Sequence, residues 1–390
     1  MKMRKHLSIL LVLSLLFALF AGAAYAEGEV EELYDVSEDA VKAEGFGIHP
    51  DYEIPIRDSY VLASDGLYYL YGTEGVTAFS GSDKGFRVYV SDDLATWQGP
   101  YTAFPNGGWD GELWATTTYW APEVYEIDGS FYMFASWAEE GSPYGVNRYV
   151  CVLKASDPAG PFEVWNDRLI QSGNDATLYE QDGEYYLVYT GSDDTLESGA
   201  FIIKLTDDLQ NTDSEPMGIF DASGDGFETG MHLEGFETWT TPTGRVILMY
   251  AVNGYEGVEG EMFSGYYAAG FAYFDNGIIG EDGAPVSDYT FDEERVIAPI
   301  NCGHNNFFED LDGNVKMSVH FPNQVTGEFG PYVVDGDYGY PYVFDVSYDA
   351  ENDTLVLDRA AFYETFGDDY YNMHREGSPV VYELDPRPED

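Results

Sequence analysis

Four side chains able to move a proton or hold a cation stand at matching places in a repeated pattern. Asp58 and Asp175 each precede an Asp-Gly pair by seven residues, while Glu234 and His304 precede looser copies of the same turn by nine and eight. A further copy has Ala121 at the seven-residue place, within Trp120-Ala-Pro-Glu123. Carboxylates gathered from distant parts of a chain suit general acid–base work, because mutual repulsion and burial keep one protonated while a better stabilised one stays ionised. Short acids near loops are also common turn formers, and this chain has 71 Asp and Glu residues, so spacing alone leaves both roles open.

The elements that must position these residues follow from the repeat. Asp65-Gly-Leu-Tyr-Tyr-Leu-Tyr-Gly, Asp128-Gly-Ser-Phe-Tyr-Met-Phe-Ala and Asp182-Gly-Glu-Tyr-Tyr-Leu-Val-Tyr are three close copies. Thr243-Gly-Arg-Val-Ile-Leu-Met-Tyr and Asp312-Gly-Asn-Val-Lys-Met-Ser-Val are two looser ones, and the turns lie 63, 54, 61 and 69 residues apart. Asp-Gly between apolar runs is a hairpin signal, since glycine readily takes the positive φ of a tight turn. Further strand-like pieces follow each hairpin, such as Phe86-Arg-Val-Tyr-Val, Tyr149-Val-Cys-Val-Leu-Lys and Ala200-Phe-Ile-Ile-Lys-Leu. Each unit therefore holds about four strands, and its hairpin strands are apolar on both faces, as in a stacked blade. The sequence predicts an all-β, five-bladed β-propeller of four-stranded antiparallel blades over residues 51–350, with no long helical periodicity. The innermost strands would line a central channel and bring the repeat-equivalent residues to one mouth of it.

Outside the propeller, residues 1–26 read as a signal peptide: Lys2, Arg4 and Lys5, an apolar run from Leu7 to Phe20, then Ala24-Tyr25-Ala26. Residues 27–50 are an acidic lead-in. Residues 351–390 carry strand-like pieces, Thr354-Leu-Val-Leu and Val380-Val-Tyr-Glu-Leu, without an assigned place. The formal charge of −54 comes with 16% aromatic residues, which separates this chain from disordered acidic ones. That charge argues against nucleic acid and anionic membranes as partners. Cys151 and Cys302 could form one disulfide, but they cannot build a cysteine zinc site. A secreted, monomeric protein with no membrane association after signal cleavage is expected.

Arg57-Asp58-Ser-Tyr-Val-Leu with the Asp65 hairpin resembles the first blade of glycoside hydrolase family 43. Trp120-Ala-Pro-Glu-Val-Tyr-Glu-Ile-Asp-Gly resembles its second, and Asp175-Ala-Thr-Leu-Tyr with the Asp182 hairpin its third. Leu233-Glu234-Gly235 is similar to the segment that carries the acid in the fourth. Gly303-His304, with Asp312-Gly and Ser318-Val-His-Phe-Pro-Asn, resembles the fifth. The ordered set covers all five blades. Ser59, Ala176 and Phe236 depart from it, standing where the family usually has Pro, Gly or Pro, and Pro.

The resemblance implies an inverting glycosidase with Asp58 as general base, Glu234 as general acid and Asp175 as a third carboxylate that orients the acid and raises its pKa. Glu237 is a rival acid, set aside here because strand residues three apart point to opposite faces. By resemblance His304 would help hold a mostly water-coordinated Ca2+ in the channel, with no organic cofactor implied. Trp120 and Trp239 lie beside the expected site and would either stack on a sugar ring or pack the blades. His320 recurs in the resemblance without a role. The implied substrate is a plant-type glycan with α-L-arabinofuranosyl or β-D-xylosyl linkages. The alternatives are a non-catalytic glycan-binding propeller, or a related hydrolase of another furanoside or a galactoside.

Overall fold

The computed structural model describes residues 34, 36, 40–74, 84–139, 148–192, 198–222, 227–228, 232–253, 267–291, 296–323, 325–329, 332–336 and 339–373. The signal-peptide reading of residues 1–26 and the strand reading of Val380–Leu384 lie outside them. The chain forms five antiparallel blades as predicted. Their inner strands are Arg57–Ser64, Thr117–Ile127, Asn174–Gln181, Leu233–Thr240 and Gly303–Glu309. Each touches the next in that order, and the last touches the first, which closes the ring around one axis.

The three close Asp-Gly copies make the tight turns their sequence requires. Asp65 and Gly66 have φ of 50° and 81°, and Asp128-Gly129 and Asp182-Gly183 match them. The looser copies close longer turns, with Thr241 and Arg245 bonding across one and Asp310 and Asn314 across the other. The longer turns account for the extra residue in the spacing of His304.

Five buried apolar clusters fill the five spaces between neighbouring blades. Between blades one and two lie Tyr71, Phe86, Tyr119, Met133 and Trp137; between five and one lie Ile56, Val61, Leu70 and Phe308. This dependence on lateral packing is why both faces of the hairpin strands are apolar. The sheet of blade one holds no strand from the C-terminal end of the chain among the described residues. Polar bonds close the ring there instead. Val61 N–H donates to Asn306 Oδ1 at 2.9 Å, Ser318 Oγ to the Ser59 carbonyl at 2.7 Å, and Leu311 N–H to Tyr68 OH at 3.0 Å.

Three features extend the predicted plan. Val41–Pro50, from the acidic lead-in, pairs with Thr96–Phe104 as a fifth, outermost strand of blade one. Thr354–Leu357 pairs with Tyr340–Asp349 as the outer strand of blade five, which gives that segment its place. A helix follows at Ala360–Met373, with Asp358 Oδ1 accepting the Ala360 N–H at 2.9 Å in the manner of an N-cap. Phe362, Phe366 and Tyr370 form a buried i, i+4, i+8 stripe on it, packed against Phe321, Tyr342 and Phe344 of blade five. Cys151 and Cys302 are both buried, and no disulfide joins them.

Candidate active site

Every inner strand breaks its pairing at the same place. Arg57 faces Thr73 and Tyr60 faces Tyr71, so Asp58 and Ser59 together oppose one residue. The same two-against-one step recurs after Trp120, Asn174, Glu234 and Gly303. It is a β-bulge, which bends a strand and re-aims its side chains. The first extra residue is left-handed in all five blades: Asp58 (φ 53°), Ala121 (43°), Asp175 (51°), Gly235 (58°) and His304 (49°). Such backbone is costly for residues other than glycine, by roughly 1–3 kcal/mol each, and its recurrence marks a place where side-chain direction matters.

The fourth blade departs from the others. There the left-handed residue is Gly235, and Glu234 stands one residue earlier, paired with Ala251. A Cβ on Gly235 would come within 3.0 Å of His304 Cα, so glycine lets blades four and five approach each other. The bulge also corrects the expectation that Glu234 and Glu237 point oppositely. Their partners Ala251 and Met249 are two residues apart, so the two glutamates share a face. Simple alternation fails because the bulge inserts a residue between them.

Asp58, Asp175, Glu234 and His304 come together, and the charge of each carboxylate acts on the His304 ring. Asp58 Oδ1 lies 3.1 Å from His304 Nδ1, and Asp58 Oδ2 accepts the Thr73 hydroxyl at 2.5 Å. Thr73 Oγ1 in turn accepts the Ala121 N–H at 2.7 Å, which ties blade one to blade two. Burial works to raise Asp58, but the His304 charge and hydrogen bond, with the Arg57 charge, hold it far below the usual carboxylate range. It is therefore ionised. Burial works to lower His304, yet Asp58, Asp175 and Glu234 push it up to about 10.

Asp175 is buried, and its N–H donates to Ser136 Oγ at 3.3 Å. Burial raises Asp175 to about 6; the Glu234 and Asp58 charges add to the rise, and those of His304 and Arg148 oppose it. Glu234 takes two hydrogen-bond partners. His232 Nε2 lies 2.7 Å from Oε2, and Tyr267 OH donates to Oε1 at 2.8 Å. Burial works to raise Glu234, but the His232 charge and hydrogen bond, with the His304 charge, lower it to about 2.

His320, which had no role in the sequence, holds the left-handed turn at Asp58. Its Nδ1 accepts the Asp58 N–H at 3.1 Å, which places the proton of the neutral ring on Nε2, 3.0 Å from Asn323 Oδ1. Burial and the Arg57 charge lower His320 to about 3, so the ring stays neutral as that bonding requires. Asn323 Oδ1 also accepts from Arg57 at 2.7 Å.

The two tryptophans separate. Trp120 precedes the bulge in blade two and is buried, with the Arg148 guanidinium 5.5 Å from its ring. Trp239 is five residues beyond Glu234, about 16 Å along a strand, and its ring meets Phe307 at 5.9 Å. It packs blades four and five and is not brought to the carboxylates. A second buried layer lies one step below the bulges, where Tyr125 OH donates to Glu123 Oε2 and Asn306 Nδ2 reaches Glu237 Oε2 at 3.5 Å. Burial raises both acids, Glu123 to about 8, so Glu237 is a buried neutral acid on the same face as Glu234. Sequence reasoning missed His232, Tyr267 and Arg148. Only His232 left a trace, in His-Leu-Glu spacing that returns to the same side of an extended chain.

A five-bladed propeller that gathers one buried and two part-buried carboxylates and a charged imidazole at its inner strands defines an acid–base site of the glycosidase type. Residues 52–333 match the Glycosyl hydrolases family 43 model, and the chain belongs to that family. An endo-1,4-β-xylanase of Bacteroides thetaiotaomicron has a similar structure, with TM-score 0.59 and 23% identity over 80% of this chain and 97% of its own. An endo-arabinase of the same organism gives TM-score 0.58 and 23% identity over 79% and 99%. At those identities the likeness is one of fold. A curated Xylanibacter ruminicola protein named as a β-xylosidase is 26% identical over 162 residues, 39% of this chain but only 29% of that protein's length.

Proposed function

We propose that this protein is a secreted, inverting glycosidase acting on α-L-arabinofuranosyl or β-D-xylosyl linkages of plant-type glycans. The observation that carries the reading is the meeting of three carboxylates from blades one, three and four around His304, with Asp58 held ionised by it. In a single displacement Asp58 takes a proton from water as that water attacks the anomeric carbon. Glu234 protonates the departing oxygen, and Asp175 keeps the acid's proton in place by its charge. The substrate class is supported by the xylanase, arabinase and xylosidase names of the similar proteins, and export by the leader pattern of residues 1–26. The test is hydrolysis of a panel of nitrophenyl glycosides. Release from the α-L-arabinofuranoside or β-D-xyloside well above that from galactosides and glucosides is expected; a galactoside preference would overturn the substrate assignment.

A channel cation fits one residue. With Nδ1–H on Asp58, His304 has Nε2 to offer, and a cation there would take the place of the ring's second proton. Among the described residues no group of three or more His, Cys, Asp or Glu is arranged to hold a metal. A Ca2+ at His304 would thus be held mainly by water, and would supply positive charge among the carboxylates.

Asp175 gives a prediction in which function and stability oppose each other. A carboxyl raised from 3.8 to about 6 binds its proton more tightly in the folded state, so stability is lost as pH rises through that window. Asp175→Asn removes the penalty, on the order of 3 kcal/mol above pH 6. Its melting temperature should exceed the wild type's at pH 7.5 and converge with it near pH 4. The charge that holds the acid's proton is lost as well, so the alkaline limb of the kcat/KM profile should move to lower pH. A variant no more stable at pH 7.5, with an unchanged limb, would remove Asp175 from this role.

A further inference from the structure

Glu234 is held in a way that sits badly with a general acid acting alone. An acid must carry a proton when the substrate arrives, yet both Glu234 oxygens accept hydrogen bonds, Oε2 facing His232 Nε2 at 2.7 Å and Oε1 taking the Tyr267 hydroxyl at 2.8 Å. The far side of the imidazole is also engaged, with Nδ1 2.6 Å from Ser198 Oγ. Ser198, His232 and Glu234 form a continuous chain ending at the carboxylate, and the His232 side chain keeps only 12% of its surface exposed.

Resting on the reading of Glu234 as the acid, we propose that the general acid is the His232–Glu234 pair, with His232 as a positioning residue that stores the proton and Ser198 fixing which ring nitrogen releases it. In the loaded pair Nδ1–H donates to Ser198 Oγ and Nε2–H to Glu234 Oε2. As the glycosidic bond breaks, its electron pair stays on the leaving oxygen; the Nε2 proton passes to the Glu234 carboxylate, which delivers a proton to that oxygen and ends ionised again. Water loses one proton to Asp58 and forms the new bond to the anomeric carbon. The products are a free alcohol, a sugar hydroxyl, protonated Asp58 and a neutral His232 still bonded to Ser198. Solvent takes the Asp58 proton and reloads Nε2.

The charge pattern agrees with this placement. Burial alone would raise Glu234, and its lowering comes first from the His232 charge and hydrogen bond, so the carboxylate is held by the imidazole it faces at 2.7 Å. Among the described residues, the groups facing the pair are Ser198, Tyr267, Asp58, Asp175 and His304. Tyr267 is raised well above 10 by burial and by Glu234, so it remains a donor throughout.

His232→Gln keeps an amide donor for Glu234 but stores no proton. Its kcat/KM on an oligosaccharide or alkyl glycoside should fall about 10²-fold, the scale of a proton-transfer contribution. Its rate on a dinitrophenyl glycoside should stay within a few-fold of wild type, and the alkaline limb should shift from its wild-type position. Ser198→Ala, a milder change that loosens Nδ1, should move the limb the same way. A wild-type limb and equal losses on both substrates in these two variants would overturn the inference. Glu234→Gln run alongside separates the two readings. If Glu234→Gln loses rate selectively on poor leaving groups and the His232 variant does not, the pair fails and the acid stands; if Glu234→Gln loses rate equally on both substrates, both fall.

Discussion

Asp58→Asn should lose turnover by about 10²–10⁴-fold on every glycoside, activated or not, with KM little changed. Water must be deprotonated whatever the leaving group, so the loss should not depend on the aglycone. Asn is the informative replacement because it tolerates the left-handed backbone at this bulge (φ 53°) and keeps an oxygen for Thr73. The same variant should also lose stability at neutral pH. A carboxyl held far below its ordinary range adds stability that is present above that range and is lost as pH falls through the lowered value. Asp58→Asn and Asp175→Asn sit at equivalent bulges yet should change melting temperature in opposite directions at pH 7.5. Thermal unfolding of the two variants, beside their steady-state kinetics, checks both expectations. Wild-type turnover in Asp58→Asn would remove it as the base.

Much of this arrangement is legible in the residues because each blade repeats its own grammar. Asp65-Gly66, Asp128-Gly129 and Asp182-Gly183 dictate their turns through backbone conformation alone, and the doubly apolar strands after them require neighbours on both sides. Asp58 and Asp175 follow from the same count. Glu234 is harder, because Gly235 takes the left-handed place in blade four and moves the acid one residue earlier. The face of Glu237 is misread for a related reason: period-two alternation holds only in an unbroken strand, and a bulge is a matter of pairing with a second segment.

Other elements depend on long-range contact. Val41–Pro50 has a charged, weakly apolar pattern and becomes a strand by adding to an exposed blade edge. The helix at Ala360–Met373 has a narrow apolar stripe of Phe362, Phe366 and Tyr370, easily lost among its many polar neighbours. His232 and Tyr267 are 35 residues apart and meet only at Glu234, on opposite oxygens. No local pattern announces such a meeting.

The leaving-group dependence of Glu234→Gln bears most directly on the central claim that these carboxylates carry acid–base glycoside hydrolysis. Gln keeps the shape of the side chain and can still accept from Tyr267, but it has no proton to give. A poor leaving group departs only as it is protonated, so kcat/KM on an alkyl or oligosaccharide substrate should fall by about 10²–10⁴-fold. A dinitrophenolate departs unaided, so its rate should fall no more than about tenfold. Plotted against leaving-group pKa over a series of aryl glycosides, log kcat/KM should be nearly flat for wild type and steeply negative for Glu234→Gln. Parallel lines for the two proteins would contradict the acid role of Glu234, and the same steep line from Glu237→Gln instead would place that role one step deeper in the channel.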